Sequence, residues 1–173
     1  MESFESLDTI AEVAATLAGF AGLIAALAGA SHQGLPPRQR IAFWLVLANS
    51  LATLILSFLP RVLFNFGLSE PTSWRICCGV LALVNFATLG LVIRVHRSLL
   101  AQGIPTQFAT AYVVLLPAIG VFALLALATA VGIAPLDPYA LFYAGLVISL
   151  AFACLIFVLF LFMRTPEPQP PST

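Results

Sequence analysis

The sequence predicts an all-α fold, a polytopic membrane protein built as a five-helix transmembrane bundle. Three observations carry that prediction. Charged residues are 8% of the 173, whereas a soluble domain carries about 25%. Hydrophobic residues are 61% and the mean hydropathy is +1.08. Third, residues 13–37, 41–60, 76–93, 98–136 and 138–163 are free of Asp, Glu, Lys and Arg. A helix needs about 20 apolar residues to cross about 30 Å of hydrocarbon. Trimming at glycine, proline and polar clusters leaves apolar cores near 13–30, 41–59, 76–93, 110–132 and 139–163. Runs such as LVLANSLATLILSFL lack the alternation of a barrel strand, and lipid tolerates no unpaired backbone, so the spans are helices.

The helices are expected at about 8–30, 41–66, 74–100, 108–132 and 139–163, forming one domain over 1–163. The first opens in an acidic lead-in with Glu2, Glu5, Asp8 and Glu12. Its Ala28-Gly29-Ala30 end imitates a signal-peptide cleavage site, but the basic leader such a peptide needs is replaced by acids, so a retained span is expected. Residues 31–40 form a turn broken by Gly34, Pro36 and Pro37. The second helix kinks at Pro60 and runs on to about Phe66, where GLSEPTS makes the next turn. The third is the shortest in its apolar core and leads to a link holding Gly103 and Pro105. Pro117 frees a backbone carbonyl and kinks the fourth, with Gly120 allowing close approach nearby. The fifth follows a short turn and ends at a Pro-rich tail, 164–173, that reads as extended and cytoplasmic. Five spans do not divide into two equal halves, against a two-repeat transporter within one chain.

Basic residues set the orientation. On alternating loops, Arg38, Arg40, Arg94, Arg97 and Arg164 share one side, with Arg61 and Arg75 on the other. The positive-inside rule then places the N-terminus outside and the C-terminus in the cytoplasm, in a cell inner (plasma) membrane. Six of the seven acids fall outside on the same assignment. Trp44, Trp74, Tyr112, Tyr139 and Tyr143 begin helices, as interfacial anchors do.

Polar residues inside the spans are the candidate site. Glu5, Asp8 and Glu12 lie on one face at i, i+3 and i+7, either a solvated cap on the helix N-terminus or an acidic vestibule that concentrates cations. Glu12 is also a possible partner for Arg61, which sits beside Pro60. Asn49, followed by Thr53 and Ser57, and Asn85, followed by Thr88, approach the midplane from opposite sides. Antiparallel neighbours would join them as a hydrogen-bonded seam or as the lining of a polar path. Pro117 would help shape such a path. The first helix also carries Ala14, Ala18, Gly22, Ala26 and Ala30 every fourth residue, widened by Ala15 and Gly19. Small residues so spaced let two helices approach, within the chain or between copies of it.

Catalytic chemistry is thin. His32 and His96 form no metal-binding spacing, Cys77 and Cys78 are adjacent with no CxxC, and there is no lysine for a Schiff base. The cysteines read as small buried residues. No cofactor or metal is expected, and an enzyme is disfavoured. Zero net charge leaves no basic patch for nucleic acid. The expected partners are membrane lipid and either copies of the chain or neighbouring membrane subunits. Two functions compete: a homo-oligomeric channel-like or transport protein with cation preference, and an accessory or assembly subunit of a larger membrane complex.

Overall fold

The computed structural model describes residues 2–29, 37–101 and 109–162. Among them the chain is all-α, with helices α1 (Glu2–Gly29), α2 (Pro37–Asn65), α3 (Glu70–Ala101), α4 (Ala109–Ala130) and α5 (Pro138–Phe162). Four are long and apolar enough to cross a membrane, through Glu5–Ile24, Phe43–Asn65, Glu70–Val95 and Pro138–Val158. In α4 the corresponding stretch is the shorter Pro117–Ala130, within a helix of 22 residues. At 1.5 Å per residue that whole helix is about 33 Å long. The chain is a small polytopic membrane protein. The side chains left outside agree: Phe20, Leu23, Leu27, Ile55 and Leu83 are large, apolar and exposed.

The helices begin earlier than their apolar cores suggest, because capping residues extend them. Ser69 opens α3: its carbonyl accepts the Ser73 amide at 2.9 Å and its hydroxyl meets Thr72 Oγ1 at 2.8 Å. Asp137 opens α5, its Oδ1 accepting the Tyr139 amide at 3.1 Å, with Pro138 at the first helical position. Pro37 similarly starts α2 inside the turn expected over 31–40. Pro60 lies fully buried within α2, which continues to Asn65. The expected tail, 164–173, lies outside the described residues.

The chain divides into two compact units, Met1–Ser57 with Val147–Thr173, and Phe58–Leu146. In the first, Ala21, Phe43 and Val46 are buried together, with Leu17, Ile24, Leu47, Ile156 and Phe157 packed around them. Those residues come from α1, α2 and α5. The buried side of α1 is Leu7, Ile10, Ala11, Ala14 and Ala21, positions i, i+3, i+4, i+7 and i+14 on one face of a 3.6-residue helix.

The second unit packs α3 on α4 together with the start of α5. Two turns there close alike. Gly67 and Gly132 both take φ of 78°, a left-handed conformation that glycine reaches without Cβ strain. Gly132 donates to Thr129 and Ile133 to Ala128; Gly67 donates to Phe64 and Leu68 to Leu63. This pairing satisfies the last carbonyls of α2 and α4. The turns share one end of the unit: the Arg75 guanidinium lies against Gly132, and Cys78 Sγ donates to the Pro138 carbonyl at 3.2 Å. Trp74 is correspondingly buried among Phe64, Tyr139 and Phe142, at ring separations of 5.9, 5.0 and 6.1 Å. Trp74 was expected as an interfacial anchor; it is instead the centre of an aromatic cluster, because three helix ends converge on it. Trp44 is exposed.

Candidate functional site

The polar residues of the first unit form two rows, one exposed on α1 and one buried on α2. Along α1 the exposed row is Glu5, Thr9, Glu12, Thr16 and Gly19, alternating four and three residues. Thr9 donates its hydroxyl to the Glu5 carbonyl at 3.1 Å and Thr16 to the Glu12 carbonyl at 2.8 Å. Each threonine thereby spends its donor on its own helix, which lowers the cost of placing it in an apolar setting. Glu12 has no such economy. It is exposed two turns into the Glu5–Ile24 stretch, about 10 Å along the axis from Glu5. Asp8 is half-buried, turned toward the packed side of α1, so the three acids do not present one uniform face.

The row of small residues divides for a geometric reason. A step of four residues turns 400°, so a strict i+4 row winds about 40° around the helix at each repeat. Ala14 is buried, Ala18 half-buried, and Gly22 and Ala26 exposed. Ala15 and Gly19 are exposed too, and a Cβ built on Gly19 or Gly22 would meet nothing within 4 Å. Ala30 lies outside the described residues. The outer part of the row is thus open surface within one chain, continuous with the Glu5 to Thr16 row.

On α2 the buried row is Val46, Ser50, Thr53, Ser57 and Pro60. Asn49, half-buried beside it, donates from Nδ2 to the Ser149 carbonyl on α5, and Thr53 returns a bond to the Asn49 carbonyl at 2.9 Å. Asn49 therefore ties α2 to α5 within one unit. No family model, curated protein or solved structure matches this chain.

The remaining expected residues belong to the second unit. Asn85 donates to Leu81 of its own helix at 3.0 Å and Thr88 is half-buried. Arg61, directly after buried Pro60, is exposed, as is Pro117 on α4. The two asparagine amides thus have separate acceptors, one across helices and one local. Glu12 and Arg61 fall in different units. Among the described residues no group of three His, Cys, Asp or Glu side chains could hold a metal. Cys77 and Cys78 are fully buried; His32 lies outside the described residues.

Thr9, Thr16, Ser50 and Ser149 were not singled out from sequence. The 3–4 alternation through Val46, Ser50, Thr53, Ser57 and Pro60 was the available signal for Ser50, and following Asn49 by fours conceals it. Ser149 acts through its backbone carbonyl, which no residue pattern marks.

Proposed function

We propose that the chain is a homo-oligomeric, channel-like membrane protein with a preference for cations, organised around the exposed row of α1. What supports this reading is Glu12, an exposed carboxylate within an apolar stretch, set in line with Thr9, Thr16 and the open Gly19. A charged side chain at the centre of a membrane helix costs about 2.5–3.5 kcal/mol, less toward the interface, so this face favours water or protein over lipid tails. Open glycines permit a second α1 to approach, and Glu5 and Glu12 repeated around an assembly would collect cations at its mouth. Asp8, Asn49 and Thr53, which belong to the same unit as Glu12, are assigned to the walls of the polar path; Asn85, Thr88, Arg61 and Pro117 belong to the other unit and are not built into it. The proposed orientation in a plasma membrane is N-terminus outside and C-terminus cytoplasmic, on the five-to-two distribution of arginines.

Native mass measurement in lipid and ion flux into liposomes test the reading together. The protein should be an oligomer that passes potassium in preference to chloride. Glu12→Gln should keep the assembly and lower the cation-to-anion ratio by about fivefold, the equivalent of about 1 kcal/mol for a charge near a membrane surface. A monomer without flux, or a ratio unchanged in Glu12→Gln, refutes it. Co-purification with a fixed set of membrane subunits would replace it with the accessory-subunit function.

A further inference from the structure

The charges of the second unit, Phe58–Leu146, are divided between its ends. Glu70, Arg75 and Asp137 lie at the Trp74 end, and Arg61 precedes Phe64 there by less than one turn, so both signs are present in equal number. The far end of α3 carries Arg94 and Arg97, and the sequence holds no Asp or Glu between Glu70 and Asp137. Arg94 is about 36 Å along the axis from Glu70, beyond the reach of a side-chain ion pair. Both arginines are exposed, and they continue an exposed stripe of Leu83, Ala87, Gly90, Arg94 and Arg97. Steps of four, three, four and three hold that stripe to one side of the helix. A Cβ built on Gly90 would meet nothing within 4 Å, whereas α4 packs on the neighbouring side, with Leu89 against Gly120 and Ala130 against Gly79.

The apolar stretch of α3 ends at Val95, so the pair straddles its boundary, Arg94 just inside and Arg97 just beyond. An arginine placed there lays its methylenes along lipid tails and carries its charge to the headgroups. Residues at i and i+3 on a helix hold their Cβ atoms about 5–6 Å apart, and each guanidinium presents paired N–H donors that match a phosphate. We propose that this end of α3 binds an anionic phospholipid, with its phosphate between Arg94 and Arg97 and an acyl chain along Gly90, Ala87 and Leu83. Charge complementarity selects this occupant. The same end of the unit in a parallel second copy would bring two more arginines and be repelled. A soluble anion would leave the exposed apolar part of the stripe uncovered. The site rests on the second unit and stands independently of the channel reading.

Native mass spectrometry of the full chain in detergent, with phosphatidylglycerol or phosphatidylcholine added, reads the site. The wild-type protein should retain phosphatidylglycerol in preference to phosphatidylcholine. Arg94→Gln and Arg97→Gln should each weaken that binding by about fivefold, the contribution of one basic residue beside an anionic lipid surface. Arg75→Gln, at the balanced end, should leave it unchanged, and free glycerol phosphate, a headgroup without chains, should not compete. Far-UV circular dichroism should show the same helix content in every variant, since the substituted side chains are exposed. Equal retention of the two lipids by the wild type, or wild-type binding by Arg94→Gln and Arg97→Gln, overturns the proposal. An equal loss in Arg75→Gln, or displacement by glycerol phosphate, does so as well.

Discussion

Gly145 is the position where one added methyl group has the most to displace. An ideal Cβ there would fall 2.5 Å from Leu81 Cδ2 and 2.7 and 3.0 Å from Phe122 Cε1 and Cζ. Real Cβ atoms keep a further half ångström or more, so α5 meets α3 and α4 through the absence of a side chain. Leu81 is fully buried, so both the aliphatic tip and the ring edge must move against packed neighbours. Overpacking of this kind costs about 1–3 kcal/mol. An alanine also gains about 1 kcal/mol of helix propensity over glycine, which obscures the sign of a single measurement. Gly90→Ala removes that ambiguity: it changes the same residue in the same direction on α3, where nothing lies within 4 Å and no contact between copies is proposed. The propensity gain cancels between the two variants, and their difference is the packing cost alone. Far-UV circular dichroism during thermal unfolding in detergent should place Gly145→Ala about 2–12 °C below Gly90→Ala, from about 2–4 °C per kcal/mol at this chain length. Equal midpoints, or Gly145→Ala the more stable, would refute the close approach of α3, α4 and α5.

Two further substitutions probe the polar and aromatic joints. Trp74→Ala should cost about 3–5 kcal/mol, since the ring fills the space between Phe64, Tyr139 and Phe142; quenching and red-shift of the remaining Trp44 emission would be absent, while the melting midpoint falls. A midpoint within error of wild type would remove the cluster as a support. Asn49→Ala should cost about 0.6 kcal/mol and no more than about 1.7, the range for hydrogen bonds between membrane helices, read by titration with a denaturing detergent. A larger loss would mean that Asn49 holds more than the Ser149 carbonyl.

Much of the architecture was legible because it follows from local rules. The all-α membrane class came from charge-free stretches, and the turns at Gly67 and Gly132 lie where glycine follows an apolar run and a capping Ser or Asp precedes the next. Burial of Cys77 and Cys78 was legible from cysteine's character as a small apolar residue, whereas Cys154, read the same way, is half-buried. Helix facing was not. In a soluble protein polarity marks the outer side of each helix, whereas lipid tails accept the same residues as a protein interior. Leu7 and Leu23 are chemically identical, yet one is buried and the other exposed. Small residues were therefore the only guide on α1, and a row taken in fours winds off the packed face between Ala14 and Gly22. Trp74 was misjudged on the same ground: a tryptophan at a helix start fits an interface and a cluster equally well until Tyr139 and Phe142 are placed.

The Trp74 cluster also bears on the order in which the chain is made. The end of α2, the Gly67 turn and the start of α3 are consecutive in the chain and leave the ribosome together, the turn's hydrogen bonds being made within it. At that stage Trp74 has Phe64 beside it, but Tyr139 and Phe142 have not been synthesised. The start of α5 supplies the rest of the cluster. α5 completes it only when its first two turns arrive, and the Cys78 thiol then finds the Pro138 carbonyl. The cluster thus joins side chains made early, Phe64 and Trp74, to side chains made more than sixty residues later, Tyr139 and Phe142.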